Sequence, residues 1–438
     1  MSFSPIIVDW KSLDAERRAA VLRRPPAVDD AAMKRDVARI ISDVREKGDA
    51  ALIALTARFD RCELTSLAVR RDEIAAASAS IDASLKAAID EAKSRIEVFH
   101  RATAPLAVRV YTAEGVLCER IMRPIPHVGL YVPAGSAPLP STALMLGVPA
   151  QVAGCQDVVL CTPPRADGSC DPAVLYAAMA CGISQIFKVG GAQAIAAMAY
   201  GTDSISRCDK IFGPGNAWVT EAKRRVSLDG SVAIDLPAGP SEVLVIGDAD
   251  ADAQFLAADL LAQAEHGPDS QVVFISDDAA TVHRVVAALD AQLSTLPRAA
   301  IATSALTHAR FIVAESLDQA VAISNDYAPE HLILNVAAPR RLLERVLSAG
   351  SVFLGAWSPE SVGDYCSGTN HVLPTYGFAR AWSGVSVASF LKQITVQELT
   401  PRGLLTIGPC AATIAHAEQL HAHERAVTVR LDRLSEAA

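Results

Sequence analysis

The chain contains no G-x-G-x-x-G, no H-E-x-x-H and no C-x-x-C. The first absence removes the usual dinucleotide fingerprint, and the second removes the two-histidine helix of a zinc hydrolase. The third, with an odd total of nine scattered cysteines, fits reduced buried thiols better than a disulfide framework. Long hydrophobic runs are also missing: STALMLGVPAQVAG stops short of the roughly 18 residues that suggest a membrane span. The opening MSFSPIIVDWKSLDAERR lacks a basic start, a long apolar stretch and a small-residue cleavage site, so no secretory signal is readable. A net charge of −9 argues against nucleic acid or an anionic membrane as a partner. At 438 residues the chain is too long for one core and suits two or three domains. A soluble cytoplasmic globular protein is expected.

What is present is alternation. Two amphipathic helices are predicted over Met33–Phe59 and Glu73–His100, with Ile40, Ile41, Val44 and Leu52 at helical spacing. A β-rich passage, GVLCERIMRPIPHVGLYV, follows. From about residue 128 strands and helices then alternate: HVGLYV, STALMLGVPAQVAG, DVVLCT, PAVLYAAMAC, QIFKV, AQAIAAMAY, KIF, AWVTEAKRRV. After DLPAGPSEVLVIGD the alternation resumes, from FLAADLLAQAE and QVVFIS through HLILNV to SVFLG. Strands separated by helices of this length imply right-handed βαβ units and parallel sheets. Two blocks of similar size predict two similar α/β domains, although no residue-level repeat is visible. TPRGLLTIGP is expected to close the sheet region. AATIAHAEQLHAHERAVTVRLDRL reads as one helical run, too thin to bury a core of its own and therefore packed on another domain or subunit.

Several motifs carry possible chemistry. VGGAQAI and FGPGNAW join a strand to a helix, where free N–H groups and the helix dipole favour an anion; such glycines also serve plain βα turns. GLYVPAGSAPLPST is another loop at the strand ends where open α/β sheets bind ligands. QAEHG puts Gln263 and His266 one turn apart at a helix end, as metal ligands or as a favourable dipole contact. SPESVGDYCSGTNHVLPT is predicted as a long loop holding Asp364, Asn370 and His371. HAEQLHAHER offers Glu418, His416, His421 and His423, on a solvated helix or at a metal. In NDYAPEHLIL, Glu330 and His331 stand side by side where a buried strand begins. Burying a carboxylate there costs several kcal/mol unless it is paired or put to use.

Taken in order, GLYVPAGSAPLPST, GGAQAIAAMAYGT, KIFGPGNAWVTEAK, DLPAGPSEVLVI, QAEHGPDSQ, NDYAPEHLIL and SPESVGDYCSGTNHVLPT closely resemble histidinol dehydrogenase. The likeness runs from about residue 25 to the tail AHERAVTVRL. Ala134 stands where the family usually has glycine and Cys366 where alanine is common, both small-for-small departures.

The resemblance implies oxidation of L-histidinol through L-histidinal to L-histidine with two NAD+ in sequence. It implies zinc (Zn2+) on Gln263, His266 and Asp364 of one subunit and His423 of the other, within a homodimer that exchanges its helical tail. His331 would be the general base and Glu330 the activator of water. Pro329, which cannot donate a ladder hydrogen bond, makes PEH a strand entrance where both side chains can reach one cleft. Ser241, His371 and Glu418 match substrate contacts, and Tyr131, Gln193 and Asn216 match NAD contacts.

The expected fold is α/β, with two similar incomplete Rossmann-like parallel-sheet domains plus two small domains including the helical C-terminal tail. Residues 27–108 and 241–385 would form the domain of the metal and catalytic groups, and 129–240 the NAD side. Residues 1–26, 109–128 and 386–400 would connect them, and 401–438 would be the exchanged tail. The competing readings are a dehydrogenase of the same scaffold acting on another small alcohol or diol, a solute-binding module, and a zinc hydrolase. Retention of Glu418 and His371, the absent signal and the missing H-E-x-x-H respectively speak against them.

Overall fold

The computed structural model describes residues 5–24, 31–134, 137–236 and 239–436. It opens with strand β1 (Ile6–Asp9) and helix α1 (Ala15–Leu22). Helices α2 (Ala31–Lys47), α3 (Asp49–Phe59), α4 (Arg71–Ser80) and α5 (Ala83–Ala102) precede strands β2 (Val108–Ala113) and β3 (Val116–Pro124). The first alternating block begins with β4 (His127–Tyr131), α6 (Pro140–Ala153), β5 (Asp157–Thr162) and α7 (Pro172–Ala180). It continues through β6 (Gln185–Lys188), α8 (Gly191–Tyr200), β7 (Lys210–Phe212), α9 (Ala217–Leu228) and β8 (Ala233–Ile234). The second block begins with β9 (Glu242–Gly247), α10 (Ala253–Ala264), β10 (Gln271–Ser276), α11 (Ala279–Leu293) and α12 (Ala299–Leu306). It ends with β11 (Arg310–Val313), α13 (Leu317–Tyr327), β12 (His331–Asn335), α14 (Pro339–Leu343), β13 (Ser351–Leu354) and α15 (Glu360–Tyr365). Strand β14 (Leu391–Leu399) and helices α16 (Pro401–Ala417) and α17 (His421–Glu436) complete it.

Both blocks fold into parallel sheets of one topology. The first has the order β6-β5-β4-β7-β8. The second has β11-β10-β9-β12-β13, with β1 added parallel at the β11 edge. In each, strand order reverses beside the first strand of the block, which opens a crevice at a switch point. Strands β9, β10 and β12 are buried at every residue. Helices cover both faces, which is why these segments are continuous apolar runs. A third, antiparallel sheet, β14-β3-β2, lies apart from the other two.

Several sequence expectations need correction. The Met33–Phe59 helix is broken at Gly48, whose φ of 53° is open to glycine but unfavourable for residues with a Cβ. The Glu73–His100 helix restarts at Asp82, whose carboxylate accepts from the Ser84 N–H at 3.0 Å. These helices pack chiefly on the first sheet, with the end of α5 also touching the 366–372 stretch. Val37, Ile40 and Ile41 of α2 pack with Ile195 and Val219, and Ile89 and Ile96 of α5 pack with Leu144 and Val148, so both cover the first sheet. Residues 6–9 belong to the second sheet, not to a connecting domain. TPRGLLTIGP begins helix α16, with Thr400 as cap and Pro401 in the first turn, where its missing N–H costs nothing. The tail then bends at Gln419 (φ 60°) into a pair of packed helices.

Candidate active site

The carboxyl ends of the first sheet face the amino ends of β9 and β12 of the second. The cleft between them is lined by Gly213, Pro214 and Asp235 on one side and by Ser241, Glu330 and His371 on the other.

Glu330 and His331 enter at the start of β12, and both hang on the backbone of one residue, Glu242. Glu330 Oε2 accepts the Glu242 N–H at 2.8 Å, and His331 Nδ1 lies 3.1 Å from the Glu242 carbonyl oxygen. A carbonyl only accepts, so Nδ1 carries the proton and Nε2 keeps its lone pair. Among the described residues Nε2 has no hydrogen-bond partner, and Asp364 Oδ1 stands 3.7 Å away. Burial holds the imidazole neutral, pushing its pKa down to about 3, and lifts the Glu330 carboxyl well above the usual range. The arrangement is a base with a vacant nitrogen beside a carboxyl whose burial favours its protonated form.

The predicted metal ligands stand on two packed helices. Gln263 and His266 close α10, with Gln263 Nε2 3.3 Å from His266 Nδ1, and α10 packs against α15, which carries Asp364. Gln263 is fully buried and its Oε1 lacks a hydrogen-bond partner among the described residues, leaving a carbonyl lone pair free to accept a hydrogen bond or bind a cation. Burial keeps His266 neutral and raises Asp364 to about 7. An amide oxygen, an imidazole and a carboxylate are an N/O set that suits zinc. His371 spans the cleft: its Nδ1–H donates to the Asp364 carbonyl at 2.9 Å, and Nε2 lies 3.4 Å from Thr142 Oγ1 at the head of α6.

The predicted cofactor residues stand at the carboxyl ends of the first sheet, Tyr131 and Asn216 beside its switch point and Gln193 after its outer strand β6. Tyr131 ends β4 and its hydroxyl accepts the Gly191 N–H at 3.0 Å. Gln193 is buried in the first turn of α8, and Asn216 caps α9 by accepting from the Trp218 and Val219 N–H groups at 3.1 and 3.2 Å. VGGAQAI, after outer strand β6, and FGPGNAW, after β7, are both strand-to-helix turns, as the sequence reading expected. Gly135 and Ser136 of the GLYVPAGSAPLPST loop lie outside the described residues.

Glu418 and His423 are not brought to this cleft within one chain. Both are exposed on the tail, where α16 packs on β2, β14 and α17. Sequence reasoning missed Glu242 and Glu360. Glu360 is buried with Oε1 3.4 Å from His331 Nδ1, and the donor atoms of His331, Glu360 and Asp364 lie within 4.8 Å of one another. The signal was the four-residue spacing in ESVGD, which places Glu360 and Asp364 on one face of a short helix. Reading that stretch as a loop hid it.

Comparison with known proteins bears on the assignment. The family model described as histidinol dehydrogenase matches residues 23–431. A histidinol dehydrogenase of Xanthomonas axonopodis pv. citri (strain 306) is 58% identical over 425 residues, 97% of this chain and 99% of the relative. One from Vibrio vulnificus (strain CMCP6) is 54% identical over 429 residues, 98% of this chain and 99% of its own. The crystal structure of histidinol dehydrogenase from Elizabethkingia anophelis superimposes with a TM-score of 0.95 at 47% identity, covering 99% of each chain. The chain belongs to the histidinol dehydrogenase family, the oxidoreductases that oxidise histidinol in histidine biosynthesis.

Proposed function

We propose that this chain converts L-histidinol through L-histidinal to L-histidine, a four-electron oxidation using two NAD+, in the cytoplasm and as a homodimer. The observation that carries the proposal is His331 Nε2: neutral, without a hydrogen-bond partner among the described residues, and 3.7 Å from Asp364 Oδ1.

Gln263, His266 and Asp364, joined by His423 of the partner subunit, would hold zinc, which when bound anchors and orients the amino alcohol. Bound NAD+ supplies the hydride acceptor for each oxidation. His331 Nε2 takes the hydroxyl proton as the carbinol C–H leaves as hydride, giving the aldehyde. Glu330 draws a proton from water as the oxygen adds to the aldehyde carbon, while His331 passes the proton it took to the aldehyde oxygen, giving the gem-diol and a neutral imidazole again. His331 then removes a gem-diol proton as the second hydride departs, leaving the carboxylic acid, which releases its remaining proton to solvent as the carboxylate. Ser241 and His371 line the cleft where the substrate would lie, and Tyr131, Gln193 and Asn216 flank the cofactor crevice.

The exchanged tail draws support from unburied apolar surface. Leu405 is 51% exposed, Ile414 55% and Tyr111 66%, along the α16 and β2 elements that pack together. Such a surface asks for a partner, and a second copy would bring Glu418 and His423 into the site. Among the described residues no helix is long and apolar enough to cross a membrane.

The test separates base from ligand. His331→Ala should lower turnover by about two to four orders of magnitude with zinc content unchanged. Glu330→Gln should slow oxidation of L-histidinal more than that of L-histidinol. Loss of zinc from His331→Ala would instead make His331 a ligand, together with Glu360 and Asp364.

A further inference from the structure

We infer that Arg24 and Glu242 form a buried positioning pair that sets the geometry of Glu330 and His331, so that a residue of the N-terminal segment controls the rate of both oxidations. The inference rests on the acting roles proposed for Glu330 and His331, and extends them to groups that touch neither substrate nor cofactor.

Glu242 is the only residue whose backbone holds both side chains: its N–H binds Glu330 Oε2 and its carbonyl accepts from His331 Nδ1 among the described residues. Its own side chain is wholly enclosed, with 0% exposure against 11% for the Arg24 side chain. Arg24 grips it bidentately, through Nε to Oε1 and Nη2 to Oε2, the latter at 2.8 Å. The Tyr376 N–H adds a bond to Oε1 at 3.1 Å. Buried charge needs this kind of paired, planar contact, which arginine supplies and lysine does not.

The same guanidinium reaches the other half of the site. Nη2 donates to the carbonyls of Tyr327 at 2.9 Å and Ala328 at 3.3 Å, and the group stacks on the Tyr327 ring at 3.9 Å. Tyr327 and Ala328 end α13 and lead directly into Pro329, Glu330 and His331. Ala328 has φ 54°, a backbone state that residues with a Cβ disfavour. One side chain therefore clamps the start of β9 to the turn that delivers the pair, at the level where the β9–β12 ladder begins. A shift of either strand entrance would misaim His331 Nε2 without removing any group that binds substrate.

Removing one partner alone leaves an unpaired buried charge and threatens folding. Two variants avoid this: Arg24→Lys, which keeps the charge without the fork, and the neutral double variant Arg24→Met with Glu242→Gln. In folded, zinc-loaded dimers, kcat with L-histidinol and with L-histidinal should both fall by about tenfold to a hundredfold. KM for substrate and NAD+ and the zinc content should stay within about twofold of the starting protein. A wild-type kcat in either folded variant, or a loss confined to KM or zinc, would overturn the inference. His331→Ala run alongside separates the two levels: if it keeps full turnover, the roles of Glu330 and His331 have failed. If it is inactive while the Arg24 and Glu242 variants are normal, only the positioning role has failed.

Discussion

A buried histidine is cheap to hold neutral and costly to charge, and the site uses that asymmetry more than once. His331 is pushed down to about 3 and His371 to about 4 by burial, so each keeps a neutral ring at ordinary pH. His100, away from the proposed chemistry, shows the same physics. It is buried on α5 with Nε2 3.5 Å from Asn370 Nδ2, and burial takes its pKa from 6.5 to about 4. Below 6.5 the unfolded chain binds a proton that the folded chain refuses, so this residue costs stability progressively as pH falls toward 4. His100→Gln should therefore gain thermal stability relative to the parent between pH 7 and pH 5; melting temperatures of both, measured across that range, check it. A gap that does not move with pH would contradict the assignment. At this scale the sequence showed which residue types stood where, and the family resemblance supplied their roles. It did not show Glu242 or Glu360, because their importance lies in which nitrogen of His331 each one faces.

Elements were more legible than their ends. Strands such as QVVFIS and HLILNV are continuous apolar runs because both faces are covered, and periodicity finds them. The breaks at Gly48, Asp82 and Gln419 depend on single φ angles and caps, which periodicity averages over. The turn between β7 and α9 illustrates how much one such position carries. Gly213 has φ 128°, and a Cβ there would stand 2.1 Å from the Tyr131 carbonyl oxygen. Gly213→Ala should weaken NADH binding by about tenfold or more, because strain of order 1–3 kcal/mol falls on the turn that carries Asn216. Gly230→Ala is the control, with φ 75° but open space around the new Cβ, and should lose some stability without changing NADH affinity. Fluorescence titration with NADH distinguishes them, and equal affinities in the two variants would remove the turn from the cofactor site.

At the scale of the molecule, what escaped the sequence was which surface each segment covers. Helices α2 to α5 precede the first block and pack on its sheet, while residues 6–9 cross to the far edge of the second. Pattern gives a helix its apolar face but not its partner. The tail poses the same question between chains, since Glu418 and His423 lie exposed and away from the cleft within one chain. If the tail is exchanged, heterodimers of His331→Ala and His423→Ala subunits contain one cleft with both residues intact. Mixed, verified heterodimers should recover up to about half of the parental activity per dimer, since one site in two is whole. No recovery, with His423→Ala homodimers themselves inactive, would place His423 in its own subunit's cleft. The central claim, two successive oxidations at one metal-anchored site, is tested most directly by counting NADH formed per L-histidinol consumed, before chelation, after it, and after zinc is restored. The account predicts a ratio near two, abolished by the chelator and recovered with zinc. A ratio of one, or turnover indifferent to the chelator, would contradict it.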